Sequence, residues 1–106
     1  MVSMNSTLSR RDQAEKEKVI EAEEQIDRLE EDIRRLKIEF DIYFNGGTKK
    51  SPLRKKASLD ARIKRLNGNR GLSFANRFKL NAMISRFTSY KELWRRKLKV
   101  KGEEMY

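Results

Sequence analysis

The apolar residues between positions 19 and 44 follow a heptad repeat, with spacings that alternate between three and four. This spacing places them on one narrow stripe of an α-helix, and such a stripe is buried best against another helix. The intervening residues are mostly Glu, Asp, Arg and Lys, so the other faces of the helix are solvated. The pattern predicts a long helix over about residues 10–44 with a coiled-coil seam. The seam positions are Val19, Ala22, Ile26, Leu29, Ile33, Leu36, Phe40 and Tyr43.

The charges beside this seam favour the pairing of two parallel copies. In a parallel dimer, Lys18 of one chain faces Glu23 of the other, and these opposite charges attract. Asp32 and Lys37 attract each other in the same way. An antiparallel dimer and a bundle formed within one chain are the alternatives. The predicted dimer interface consists of Val19, Ala22, Ile26, Leu29, Ile33 and Leu36.

The C-terminal end of this helix departs from the heptad. Ile38 and Ile42 lie on the face opposite the seam, where an isolated coiled coil is polar. Together with Phe40, Tyr43 and Phe44 they make the helix apolar on nearly every side. A helix that is apolar all round is buried all round. We therefore expect later helices to enclose this end, and the small core of the protein to lie there.

Two further helices are predicted after the first. Asn45-Gly46-Gly47 ends the first helix, because glycine readily adopts the left-handed conformation of a helix C-cap. Ser51 and Pro52 favour the start of a second helix, with Ser51 as its cap and Pro52 in its first turn. That helix extends to about Asn67 and ends before a Gly-containing break. Its apolar face consists of Leu59, Ile63 and Leu66.

The third predicted helix begins after Ser73, which is suited to cap it. Phe74, Phe78, Phe87 and Trp94 occur at helical spacing, which favours a core role over the alternative of stacking on exposed bases. Thr88 and Ser89 leave open whether this helix is continuous.

The predicted fold is all-α. It has a long N-terminal coiled-coil helix followed by a compact basic module of two or three helices packed on its C-terminal end. The predicted divisions are a disordered tail over 1–9, a coiled-coil arm over 10–37, the basic module over 38–101 and a second tail over 102–106.

The charge of the chain is divided unevenly between its halves. Residues 1–46 contain 8 Lys and Arg against 12 Asp and Glu, whereas residues 47–106 contain 18 against 4. Near-exclusive basicity favours an anionic partner, because Lys and Arg release condensed counterions from phosphates. The alternative is that the acidic first helix neutralises the basic helices within the chain. The candidate phosphate contacts are Lys49, Lys50, Arg54, Lys55, Lys56, Arg62, Lys64, Arg65, Arg70, Arg77, Lys79, Arg86, Arg95, Arg96, Lys97 and Lys99.

Catalytic chemistry is poorly represented in the chain. It contains neither His nor Cys, so the usual general bases, nucleophiles and soft metal ligands are missing. We therefore predict no enzyme activity, no catalytic residue, no metal and no cofactor. No segment approaches the roughly 20 apolar residues of a membrane span, and the N-terminus lacks the apolar core of a signal peptide. We expect a cytoplasmic protein, associated with the nucleoid or the ribosome.

These features predict a dimeric nucleic-acid-binding protein that contacts the phosphate backbone of DNA or structured RNA, largely without sequence preference. The alternative is a protein-interaction adaptor. Its coiled coil would recruit a partner, and its basic module would dock on an acidic protein surface.

Several segments resemble a small helical domain of uncharacterised bacterial proteins, over about residues 28–98. The resemblance implies a bacterial source and transfers no catalytic role. It also implies that Asn45, Gly46 and the aromatic–Arg pairs are structural signatures of the domain. The matching segments are residues 40–46, 50–52, 77–78 and 86–90 together with Trp94.

Overall fold

A computed structural model describes residues 9–102, which form three α-helices. Helix α1 extends over Arg10–Phe44, α2 over Leu53–Asn67 and α3 over Phe74–Lys101. The predicted all-α fold, with a long N-terminal helix followed by packed helices, is confirmed. Apart from Ser9 and Gly102, the predicted tails lie outside the described residues. None of the three helices has an apolar stretch long enough to cross a membrane.

Short-range capping explains where the helices begin. The Ser9 hydroxyl accepts a hydrogen bond of 3.1 Å from the Asp12 backbone N–H. Ser73 accepts an equivalent bond of 3.1 Å from the backbone of Asn76. The cap at Ser73 agrees with the sequence-based prediction, and both caps depend only on residues three positions apart. Helix α3 is continuous through Ser89, whose hydroxyl donates to the carbonyl of Ser85 at 3.2 Å.

The first interhelical connection begins with a Schellman turn. Gly46 has φ of 80°, which a residue with a side chain adopts rarely. Its N–H donates to the Tyr43 carbonyl at 3.1 Å, and the Gly47 N–H donates to the Ile42 carbonyl at 2.9 Å.

The predicted cap of α2 is wrong. Pro52 occupies the cap position, and the buried Ser51 hydroxyl has no hydrogen-bond partner among the described residues.

Helix α2 runs antiparallel to α1. The Arg62 guanidinium lies 2.7 Å from the Asp32 carboxylate, and Lys55 pairs with Glu39. Residue numbers therefore fall along α1 as they rise along α2. Two ion pairs at the flank of the interface align the helices over about two turns.

Helix α3 runs parallel to α1. Near its start, the Asn76 side-chain amide donates to the Val19 carbonyl at 3.1 Å. Near its end, the Trp94 ring stacks on Phe40 with a centroid separation of 4.2 Å and an interplanar angle of 18°. Tyr90 stacks on the same indole at 5.8 Å. The order is thus an up-down-up bundle in which α2 and α3 both pack on α1.

The coiled-coil seam is the centre of this single-chain core. Its residues from Ile26 to Tyr43 pack with apolar side chains of α2 and α3. This corrects the predicted dimer interface, because five of its six residues are buried within their own chain and Val19 alone is 37% exposed. The core also extends before position 38, into the predicted arm. The five buried interface residues are Ala22, Ile26, Leu29, Ile33 and Leu36.

Four apolar residues that were assigned to buried positions are exposed. Ile38 and Ile42 are 54% and 45% exposed, because α2 and α3 cover only the seam side of α1. Phe74 and Phe78 are 88% and 70% exposed, because Asn76 and Leu80 occupy the side of α3 that faces the core. The prediction of burial at these four positions is wrong.

We expect Leu29→Ala to lower the free energy of unfolding by about 2–5 kcal/mol, because Leu29 is fully buried and the truncation leaves a cavity. Ile38→Ala, on the exposed face of the same helix, should change it by less than about 0.5 kcal/mol. Urea unfolding followed by circular dichroism measures both. Equal reductions would contradict the assignment of the seam to the core.

Candidate nucleic-acid interface

Two segments of the chain contain basic residues and no acidic ones. Residues 45–56 contain five Lys and Arg and no acid, and residues 95–101 contain another five and no acid. The remaining 16 basic residues are balanced by all 16 acidic residues of the chain. These two segments, here called the basic pole, therefore account for the whole net charge of +10.

The fold brings the two segments of the basic pole together. Because α3 is parallel to α1, its last turns lie beside the C-terminal end of α1, where the connection to α2 begins. The Lys97 ammonium lies 5.5 Å from the centroid of the Phe44 ring. The Lys101 ammonium lies 4.8 Å from the centroid of the Tyr43 ring. An open groove at this point is lined by Phe44, Asn45, Arg96, Lys97, Val100 and Lys101.

Most cations of the basic pole are exposed and have no acidic partner within the described part of the chain. These exposed cations present positive charge to solvent, and no nearby acidic side chain in that part of the chain neutralises it. The other four members interact with acids: Lys55 with Glu39, Lys56 with Asp60, and both Arg95 and Arg96 with Glu92. The hydrogen bonds from Arg95 lower the pKa of Glu92. The exposed cations without an acidic partner among residues 9–102 are Lys49, Lys50, Arg54, Lys97, Lys99 and Lys101.

Lys56 was predicted to contact phosphate, but it is a buried structural residue. It is only 7% exposed, and its ammonium lies 3.1 Å from one carboxylate oxygen of Asp60. The other oxygen accepts a bond of 2.7 Å from Lys91 on α3. Partial burial opposes ionisation of Asp60, but the hydrogen bonds from Lys91 and Lys56 outweigh it and lower the pKa of the carboxyl. Asp60 therefore joins α2 to α3.

Arg77 also has a structural role. Its guanidinium donates to the backbone carbonyl and side-chain oxygen of Asn67, at 3.1 and 2.9 Å. It donates further to the Asn69 carbonyl at 2.7 Å. Since the last carbonyls of a helix lack intrahelical partners, Arg77 completes the end of α2 and is not available to a phosphate.

Acidic residues of α1 neutralise part of the predicted basic surface. Arg62 pairs with Asp32, and Lys79 pairs with Asp27. The hydrogen bond to Asp27 raises the pKa of Lys79. Together with the Lys55–Glu39 pair at the edge of the basic pole, these contacts correspond to the alternative in which the acidic helix neutralises the basic ones, but they reach only part of the basic residues.

The other predicted contacts lie away from the basic pole. Lys64, Arg65 and Arg70 are exposed at the C-terminal end of α2 and the turn that follows it, toward the opposite end of the bundle. Arg86 borders a groove beside Glu30 and Glu31 of α1. The structure thus divides the sixteen predicted residues into a coherent end surface, a set of internal pairs and scattered surface charges. Lys101 belongs to the end surface but was missed, although it follows Lys97 at helical spacing.

The chemistry available at the basic pole consists of ionic contacts and an apolar groove floor. Among residues 9–102, acidic side chains form no group of three that is placed to hold a metal ion. Comparison with protein families, curated proteins and solved structures finds no match to this chain. The resemblance to a bacterial helical domain therefore stays a prediction.

Asp60→Asn should lower the free energy of unfolding at neutral pH by about 1–3 kcal/mol, because it weakens two charge-assisted hydrogen bonds. The pKa of Asp60 is lowered in the folded state. Its stabilising contribution is therefore complete above the ordinary carboxyl pKa and is lost as the pH falls through the lower pKa of the folded protein.

Urea unfolding of the wild type and the variant across this pH range measures the difference. Glu92→Gln is the control, because the Glu92–Arg95 pair is exposed and should contribute little. A difference for Asp60→Asn that stays constant into strong acid would contradict the assignment.

Proposed function

We propose that this protein binds nucleic acid through the basic pole, contacting phosphates of DNA or structured RNA without reading their sequence. The observation that supports the proposal is that two acid-free segments with ten Lys and Arg meet at one end of the bundle. Most of these side chains are exposed and lack acidic partners in the described region. Such cations gain free energy on binding phosphates by releasing condensed counterions.

The dimensions of the bundle support this proposal. Its cross-section is 23 × 18 Å. Successive phosphates of one DNA strand advance by about 3.4 Å along the helix axis, so an end surface of this size corresponds to an axial length of about six phosphates. The number of unpaired cations at the basic pole is of the same order. The surface thus matches a short segment of nucleic acid in length.

The geometry favours backbone contacts over base recognition. The basic pole is built from a connection and from helix ends, so it presents flexible Lys and Arg side chains rather than the flank of a helix. A helix-turn-helix unit places its helices at about 90–120°, whereas α2 and α3 are antiparallel. Base-specific readout requires side chains held at base edges in a groove. Binding with little sequence preference is the function that this arrangement supports.

The proposal is tested with two variants that each reduce the formal net charge by four. The first replaces Lys49, Lys50, Arg96 and Lys99 with Ala at the basic pole. The matched control replaces Arg10, Arg11, Lys16 and Lys18, which are exposed near the opposite end of α1. Affinity for a labelled duplex and for a structured RNA is measured by fluorescence anisotropy over a series of salt concentrations.

We expect the basic-pole variant to bind at least about tenfold more weakly. Its slope of log affinity against log salt should become less negative by up to about 3.6, since each phosphate that a cation neutralises contributes about 0.9 to the slope. The control variant should change much less. Equal weakening in both variants would show that only total charge matters and would overturn the assignment to this surface. Absence of binding by the wild type at low salt would overturn nucleic-acid binding itself and favour the adaptor alternative.

A further inference from the structure

Helix α3 carries a face without charge on the side opposite the core. Leu80, Met83 and Phe87 are buried on its inner side. The opposite side, here called the outer stripe, is exposed for about 22 Å at 1.5 Å per residue. It contains no charged residue, although 40% of the chain is charged. The outer stripe consists of Phe74, Phe78, Asn81, Ala82, Ser85 and Ser89.

Two phenyl rings dominate this stripe. Phe74 and Phe78 are 88% and 70% exposed and lie one helical turn apart. Burial of such a ring removes a large apolar area from water and is therefore favourable. Solvated helix faces normally carry charges of both signs, so this uncharged aromatic face has the composition of a contact surface. The absence of charge also makes it a poor site for an acidic partner or a phosphate backbone.

We propose that the outer stripe packs against the same stripe of a second copy of this chain, with the two α3 helices antiparallel. A twofold axis between Asn81 and Ala82 places Phe78 of one copy opposite Ser85 of the other. The same axis places Phe74 opposite Ser89. Each large ring thus meets a small side chain, which allows the helices to approach and the rings to fill the gaps between residues of the partner.

A parallel arrangement of the two stripes lacks this complementarity. In that arrangement each Phe would face the same Phe of the partner, and each Ser would face the same Ser. The paired Ser side chains are too small to fill the space between the helices, and such gaps are unfavourable in a packed interface. In the antiparallel arrangement, the basic poles of the two copies lie at opposite ends of the dimer. This inference does not depend on the proposed function, but if both hold, one dimer carries two separate phosphate-binding surfaces.

The size of the stripe sets the expected strength of association. A single helix pair of this length is smaller than the interfaces of about 1,200–2,000 Å² found in stable complexes. We therefore expect a dimer that dissociates on dilution. Sedimentation velocity over a range of protein concentrations measures this equilibrium.

The principal test is Phe74→Ser combined with Phe78→Ser, which should make the protein monomeric at concentrations where the wild type is dimeric. The helical circular dichroism spectrum should not change, because both rings are outside the core. The matched control is Ile38→Ser with Ile42→Ser, another exposed apolar pair four residues apart, and it should leave the dimer intact. A monomeric wild type at every concentration, a dimeric Phe variant or a monomeric Ile variant would each overturn the proposal.

Chemical crosslinking tests the orientation, since the chain contains no Cys. Ala82→Cys lies beside the twofold axis and should be joined to its own copy by a short bismaleimide. Ser89→Cys should not be joined, because about 22 Å of helix separates it from its counterpart. Crosslinking of both variants, or of neither, would overturn the antiparallel arrangement.

Discussion

The apolar stripe of α1 lies between α2 and α3, and its burial orders the rest of the molecule. One helix cannot bury such a stripe alone, and α2 contributes only a short apolar face, so α3 is needed to complete the cover. The stacked rings of Phe40 and Trp94 hold α3 parallel to α1 near their C-terminal ends. This packing brings residues 95–101 next to residues 45–56, which are separated from them by about forty positions in the chain.

The basic side chains of the bundle are paired with acids in one region and largely unpaired in another. Along the middle of the bundle, Asp27 and Asp32 of α1 neutralise Lys79 and Arg62 of the later helices. At the end of the bundle, the two adjoining segments contain no acid, and most of their cations have no acidic partner among residues 9–102. The surface proposed to bind phosphate is therefore the part of the basic sequence that the fold leaves unpaired.

The bundle leaves two surfaces with different chemistry. The basic pole has positive charge around an apolar groove floor, whereas the outer stripe of α3 has aromatic and small side chains without charge. They lie on different parts of α3, and the inner side of the same helix is occupied by the core. Contact with an anionic polymer and contact with a second copy can thus occur without competing for the same side chains.

Local patterns in the sequence determined the helices. The caps at Ser9 and Ser73 and the glycine turn at Gly46 depend on bonds between residues at most five positions apart, so their outcome is visible in the sequence. The heptad repeat likewise showed which stripe of α1 is buried, and the charge counts showed which half of the chain is basic. The prediction that Ser51 caps α2 is wrong, because Pro52 occupies the cap position.

Only the tertiary structure decided what covers each helix face. The same heptad spacing suits a partner helix from another chain or from the same one, and here the chain supplies it. Phe74 and Phe78 have helical spacing but lie opposite the core. The side of α3 that packs on α1 is the one that carries the buried residues Leu80, Met83 and Phe87. Lys56 and Arg77 differ from the cations of the basic pole only in what lies next to them in space. Burial and pairing depend on residues distant in sequence, and for that reason the fold, rather than composition, separates structural cations from those available to a partner.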